Sequence, residues 1–187
     1  MSAADVVRQV SFAPLAAVGE LEPAQADDLL AAWEHALGPC GRPFGRQDFA
    51  LVVDSHAVAV ATSASTVSAT VDRYRRDDVV ELARLARAPD AKWALRVALR
   101  LWREVVPRRW HYWRARALVA YALANRHDGD LYRFDGWRRV CLVRGSTGGG
   151  GWTKKRAVDA VAAGPKSLWI YDLELTDPND PTKVSKP

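Results

Sequence analysis

Hydrophobic and polar positions along the chain alternate with a period of two in some stretches and with a helical period in others. VVRQVSFAPL (6–15) reads as a first strand. EPAQADDLLAAWEHALG (22–38) carries Pro23 near its start, acids in its first turns and Gly38 as a stop, which predicts a helix. After a Gly/Pro-rich connection, FALVVD (49–54) and AVAVATSAST (57–66) are alternating runs around Ser55-His56, the pattern of a hairpin. A charged connector (71–78) leads to the strand VVELARLARAP (79–89), stopped by Pro89.

The clearest helix is AKWALRVALRLWREVV (91–106). Ala94, Val97, Ala98, Leu101 and Val105 form one stripe, and Lys92, Arg96, Arg100 and Arg103 another. Short strands follow at 117–124 and 138–143, with a short helix between them. A Gly-rich loop (144–152) and a closing strand (167–173) complete the order, and 176–187 reads as a disordered tail. Strands and helices interleave without repeat or boundary, which predicts one α/β domain over 1–175 built on a mixed sheet flanked by helices.

Composition narrows the class. With 187 residues, half of them apolar and a quarter charged, the chain is an ordinary globular domain. Charges interrupt every apolar run before the length of about 18 residues that a membrane span needs, and no export signal opens the chain, so a cytoplasmic location is expected. Cys40 and Cys141 have no zinc spacing and are expected reduced, and the four His add no metal-ligand pattern.

Charge is uneven. Residues 1–54 hold 3 Lys/Arg against 8 Asp/Glu, and the remainder holds 24 against 14. Two stretches, 84–116 and 138–156, are strongly basic, consistent with an anionic partner or with a solvated Arg-rich face. In RRWHYWRAR (108–116), Arg108, Arg109, Trp110, Tyr112 and Arg114 interleave cations with aromatics as a nucleic-acid surface does. The same pattern fits an amphipathic loop with buried rings. Trp152, Lys154, Lys155 and Arg156 repeat that composition after the Gly-rich loop, which could close over a backbone or simply be a floppy hairpin.

Between strand and helix, RAPDAK (87–92) offers a helix start to a phosphate, with Arg84, Arg87, Lys92 and Arg96 around it. The plainer reading makes Asp90 an N-cap. For a base, Glu81 on the central strand comes first, and Asp128, an alternative N-cap, second.

In NRHDGDLYRFDGWRRV (125–140), Asn125 is followed seven residues on by Tyr132, preceded by Leu131, and then by Gly136-Trp137. This order resembles the C-terminal half of the GCN5-related N-acetyltransferases, and the likeness of element order extends over 6–173. The resemblance implies that Asn125 holds the pantetheine arm of acetyl-CoA or a related acyl donor and that Tyr132 serves the departing thiolate as an acid. In place of the family's glycine-bearing pyrophosphate turn stands Arg87-Ala-Pro-Asp90-Ala-Lys92. That departure leads to a narrower likeness. Glu81, Arg84 and Leu85, then Gly136-Trp137-Arg138, then Gly148 to Arg156, and a closing Lys166 to Trp169 are similar in order to the phage Mom-type DNA modification proteins.

The narrower likeness implies acyl-type modification of the exocyclic N6 amine of adenine in double-stranded DNA, inside an infected bacterium, protecting phage DNA from restriction. Acetyl transfer to a small amine or a protein, and a non-catalytic DNA-binding module on a degenerate transferase fold, are the rival readings. Homodimerisation is left open.

Overall fold

The computed structural model describes residues 16–42, 44–144 and 164–173. The strand expected at 6–15, nearly all of the Gly-rich loop, the Trp152–Arg156 segment and the tail lie outside the described residues. The strands are Ala16–Leu21 (β1), Gln47–Val53 (β2), His56–Ala64 (β3), Thr70–Val71 (β4), Tyr74–Arg75 (β5), Val79–Arg87 (β6), Ala117–Leu123 (β7), Arg138–Val143 (β8) and Lys166–Asp172 (β9). The helices are Pro23–Ala32 (α1), Ala94–Arg109 (α2) and Asp130–Arg133 (α3). Seven strands form one mixed sheet in the order β1-β2-β3-β6-β7-β9-β8, and β4 and β5 pair separately.

Local chemistry explains most boundaries. Helix α1 starts with Pro23 at its first position, and the backbone N–H of Glu22 donates to Gln25 Oε1 at 3.0 Å. It ends well before Gly38, the stop expected from the sequence. Glu34 takes the left-handed conformation (φ 50°), its N–H donates to Ala31 O, and the N–H of His35 donates to Leu30 O. That pair of bonds is a Schellman stop, built here on a residue other than glycine. The β2–β3 connection is Asp54-Ser55, one residue earlier than expected, and both residues have positive φ. Such a turn matches the twist of the flanking strands. The connector at 71–78 folds into the β4–β5 hairpin and one 3₁₀ turn.

Each face of the sheet carries its own core. On the α2 face, Phe49, Ala61, Val80, Leu82, Leu118 and Ala120 meet Leu99, Trp102 and Val106 of the helix. The buried stripe of α2 therefore runs through Ala94, Ala98, Leu99, Trp102 and Val106, while Val97 stays 41% exposed. The stripe expected from aliphatic positions alone was rotated relative to the true one, because Trp102 belongs to the apolar side and donates its indole N–H to buried Ser63 at 2.8 Å. On the α1 face, Val60 and Ala86 pack on Ala26 and Leu30, and Val79, Ala117 and Val119 pack with Leu168 and Ile170.

One irregularity shapes the molecule. Strands β6 and β7 are parallel and pair only over Val79–Leu82 and Ala117–Ala120. On its other edge β6 pairs Leu82 with Ser63 and Arg84 with Thr62, leaving Ala83 as an extra residue. A bulge of this kind bends its strand, and it falls where β6 leaves β7. No helix of the described residues is long and apolar enough to cross a membrane.

Candidate active site

The divergence of β6 and β7 opens a cleft of about 370 Å³. Leu82–Leu85 and Tyr121–Leu123 form its two strand walls, residues 35–37 beyond α1 close one end, and Leu95 of α2 with residues 126–132 close the other. Both strands spend their outer edges on β3 and β9, so the inner edges of Ala83–Arg87 and Tyr121–Leu123 face each other without a ladder between them. Unpaired strand edges are where an extended, amide-bearing chain gains backbone hydrogen bonds.

Tyr132 lines this cleft from α3. Its ring stacks on Trp169 (centroids 5.7 Å apart, 23° between planes) and meets Trp137 edge-on at 5.4 Å. Its hydroxyl has no hydrogen-bond partner among the described residues, and burial pushes the phenol up to about 12. The helix that carries it starts at Gly129 (φ 80°), not at an Asp128 cap; a Cβ on Gly129 would overlap the Trp169 indole and lie 2.7 Å from its Cε2. Asp128 is instead exposed on the cleft wall.

Glu81 lies on the opposite face of the sheet from Tyr132, with Val79 and Val119 rather than with Val80 and Leu82. It is buried, and Arg42 Nη2 reaches its Oε1 at 2.7 Å. Burial pushes its carboxyl above the ordinary value, against the pull of Arg42, Arg84 and Lys166. Tyr121, whose phenol burial pushes up to about 12, feels the same carboxylate and lines the cleft, as does Arg84. The cluster is thus joined to the cleft through these two residues. Its members Arg42 and Tyr121 were not singled out in the sequence, and Lys166 was named only as the start of a closing motif, with no role in the site. The period-two pattern of β9 puts Lys166 on the face of Leu168 and Ile170, but nothing local marks Arg42.

The residues expected around a donor phosphate are dispersed. Arg84 donates to the carbonyls of Leu37, Gly38 and Pro39, locking the segment after α1. Arg87 folds back on the carbonyls of Ala88 and Pro89. Arg96 lies over the Phe134 ring and donates to its carbonyl at 3.3 Å, and Lys92 is exposed. Helix α2 begins at Ala94 after Trp93, with no side-chain cap, so Asp90 does not cap it. Asn125 is exposed and lies outside the cleft lining, where its neighbours Arg126 and His127 stand instead. His35, inside the helix expected over 22–38, lies past the end of α1 in the cleft. Its Nδ1 accepts from the Leu37 N–H, and burial, Arg84 and His127 hold its pKa down at about 4.

The second half of the basic pattern is largely structural. Trp110 is 6% exposed within the α2-face core, so it is no surface for a base to stack on. Trp113 is half-buried and donates to Val79 O, while Tyr112 is 47% exposed and reaches Arg46 O at 3.3 Å. Arg108, Arg109 and Arg114 are exposed. Arg100 and Arg103 of the expected basic stripe converge on buried Asp135, at 3.2 and 2.9 Å. Trp137 packs between Trp102 and Tyr132, and Arg138 pairs with Asp172 and Asp72. The Gly-Trp-Arg turn thereby fastens α3 and β8 to the sheet.

Compared with solved structures, this architecture is that of N-acetyltransferases. The ribosomal-protein-S18-alanine N-acetyltransferase from Escherichia coli superposes with a TM-score of 0.53 at 14% identity, over 84% of this chain and 94% of that one. NAA60 from Arabidopsis thaliana in complex with acetyl-CoA gives 0.53 at 11%, over 86% and 99%. The aminoglycoside acetyltransferase AAC(6')-Ib in complex with coenzyme A gives 0.57 at 9%, over 86% and 96%. At such identities the likeness is one of fold, and it bears out the fold expected from the sequence. No family model and no curated protein matches the sequence.

Proposed function

We propose that the protein is an acyl-CoA-dependent N-acyltransferase whose donor lies in the cleft between β6 and β7. The observation that carries this reading is the pair of unladdered strand edges facing each other across about 370 Å³. They suit the amide-bearing arm of the donor, which supplies an activated thioester. Arg126 on the wall suits its phosphates.

Two residues of this chain then act from opposite faces. Tyr132 keeps its proton on Oη throughout the neutral range, since its phenol stands at about 12. That makes it a weaker acid than an ordinary thiol near 8.5, so it serves a departing thiolate chiefly as a hydrogen-bond donor. Glu81, raised by burial, is suited to take a proton from an amine arriving on the α1 face. Titration of acetyl-CoA into the protein by calorimetry tests the reading: one-site binding, competed by coenzyme A, is the expected result, and no heat with either ligand overturns it.

A Mom-type role, modification of adenine N6 in duplex DNA, is supported by the order of motifs and by the exposed Arg108, Arg109 and Arg114. Against it stands their position. Arg108 and Arg109 stand at the C-terminal end of α2, with Arg114 in the segment after it, whereas the cleft meets that helix at Leu95, about 20 Å from Arg108 and Arg109 at 1.5 Å per residue. Mass spectrometry of nucleosides from plasmid DNA, after expression in a bacterium, separates the readings. A new adenosine-derived mass, lost with Tyr132→Phe, establishes DNA modification. An unchanged profile together with acetyl-CoA binding leaves a small amine or a protein as acceptor. Duplex binding without acetyl-CoA binding leaves the non-catalytic module.

A further inference from the structure

Among the described residues, the charge around Glu81 does not balance. Three cations, Arg42, Arg84 and Lys166, act on this one buried carboxylate. Among the described residues, Arg84 is hydrogen-bonded only to carbonyl oxygens. Asp27 also acts on Arg84, but it is already held by Arg46 at 2.8 Å. Lys166 is half-buried, and its ammonium has neither hydrogen bond nor ion pair among the described residues. The Tyr121 hydroxyl on the neighbouring strand also lacks a partner among the described residues. Partly desolvated cations without counter-charge are costly, and an oxyanion making charge-assisted hydrogen bonds relieves that cost.

We propose that the acceptor amine carries an oxyanion, a carboxylate or a phosphate, that binds Arg42 and Lys166 beside the cleft. The inference rests on the transferase reading of that cleft. The charges then exchange partners without changing number. The Arg42–Glu81 pair opens, Arg42 and Lys166 take the oxyanion, and Glu81 receives the acceptor's ammonium. A zwitterion is the ligand that satisfies both halves of the opened pair. The site is recessed, with the Arg42 side chain only 23% exposed, so a small molecule fits it better than the backbone of a duplex.

Calorimetry with O-phosphoethanolamine, β-alanine and ethanolamine tests this on the full chain. At least one anionic amine is expected to bind at least tenfold more tightly than ethanolamine. Whether phosphate or carboxylate is preferred identifies the group. Lys166→Gln is expected to weaken the anionic amine about tenfold and leave ethanolamine unchanged, and Lys166→Arg to retain binding. Circular dichroism melting of both variants establishes that they fold; if Lys166→Gln does not, Lys166→Arg and the ligand series of the unaltered protein decide. The proposal is overturned if ethanolamine binds as well as both anionic amines. It is equally overturned if Lys166→Gln changes nothing, or if a 12-base-pair duplex displaces the anionic amine in a Lys166-dependent way. Acetyl-CoA is titrated separately. Anionic amines binding without acetyl-CoA binding sinks the transferase reading but keeps the oxyanion site, and the reverse sinks the site alone.

Discussion

Arg42 and Glu81, thirty-nine residues apart in sequence, meet at 2.7 Å on the α1 face, the carboxylate 6% and the guanidinium 23% exposed. Removing the cation leaves a buried charge unpaired, a larger loss than never having had the pair. Arg42→Met is expected to cost about 3 kcal/mol at pH 7. Because burial raises the Glu81 carboxyl in the folded state, the folded protein binds its proton more readily than the unfolded chain does. Protonation therefore restores stability to the variant as pH falls towards the ordinary carboxyl value. Urea unfolding at pH 7 and pH 5 checks this. An equal loss at both values would mean that Arg42 contributes by packing alone.

Tyr132 offers the cleft a hydroxyl with no other partner among the described residues, while its ring is held by Trp137 and Trp169. Tyr132→Phe keeps the ring contacts, so the melting temperature is expected to stay within a degree or two while kcat falls by about 100-fold, at the low end for losing a hydrogen-bond donor to developing charge. Steady-state kinetics with the best acceptor found decide it. A rising KM with unchanged kcat would assign the hydroxyl to substrate binding instead.

Gly129 is a position where two constraints coincide: a left-handed backbone and the Trp169 indole where a Cβ would go. Gly129→Ala is expected to destabilise by about 2–4 kcal/mol, from strain and overpacking together, and to displace Tyr132. Gly38, also left-handed but with nothing within 4 Å, is the control; Gly38→Ala is expected to cost about 1 kcal/mol.

His35 stands at about 4 in the folded protein against an ordinary 6.5. Between these values the unfolded chain binds a proton that the folded one refuses, so stability falls as pH drops from 6.5 to 4 and is full above that window. With the ring partly exposed, the effect is on the order of 1 kcal/mol. His35→Gln removes this component, so the wild-type advantage over the variant shrinks across the same window in paired denaturation curves.

Most strands were legible because each is short, β-branched and bounded by its own turn chemistry; Val79–Arg87 and Arg138–Val143 needed no partner to be recognised. Tyr132 could be singled out because the turn that holds it is a local pattern, whereas Asp128 was read as the cap where Gly129 stands. What stayed hidden depends on residues distant in sequence. Arg100 and Arg103 read as a free cationic stripe until Asp135, more than thirty residues on, arrives between them. Trp110 reads as a stacking platform when only its basic neighbours are in view, yet Phe49 and Val106 share its core. Glu81 was visible as a carboxylate on a central strand, but Arg42 comes from a loop without periodicity. The bulge at Ala83, which opens the cleft, is a matter of register with β3 and leaves no mark in β6 itself.

The strand order places β9 between β7 and β8, although β8 comes earlier in the chain. On a ribosome, a nascent chain can have made everything through Val143 and still hold β7 and β8 with no ladder joining them. Until Lys166–Asp172 emerges, β7 shows a bare edge, and Tyr132 has no Trp169 to lie against. Completion of the sheet and formation of the Tyr132 wall of the cleft are therefore one event, timed by the last described strand.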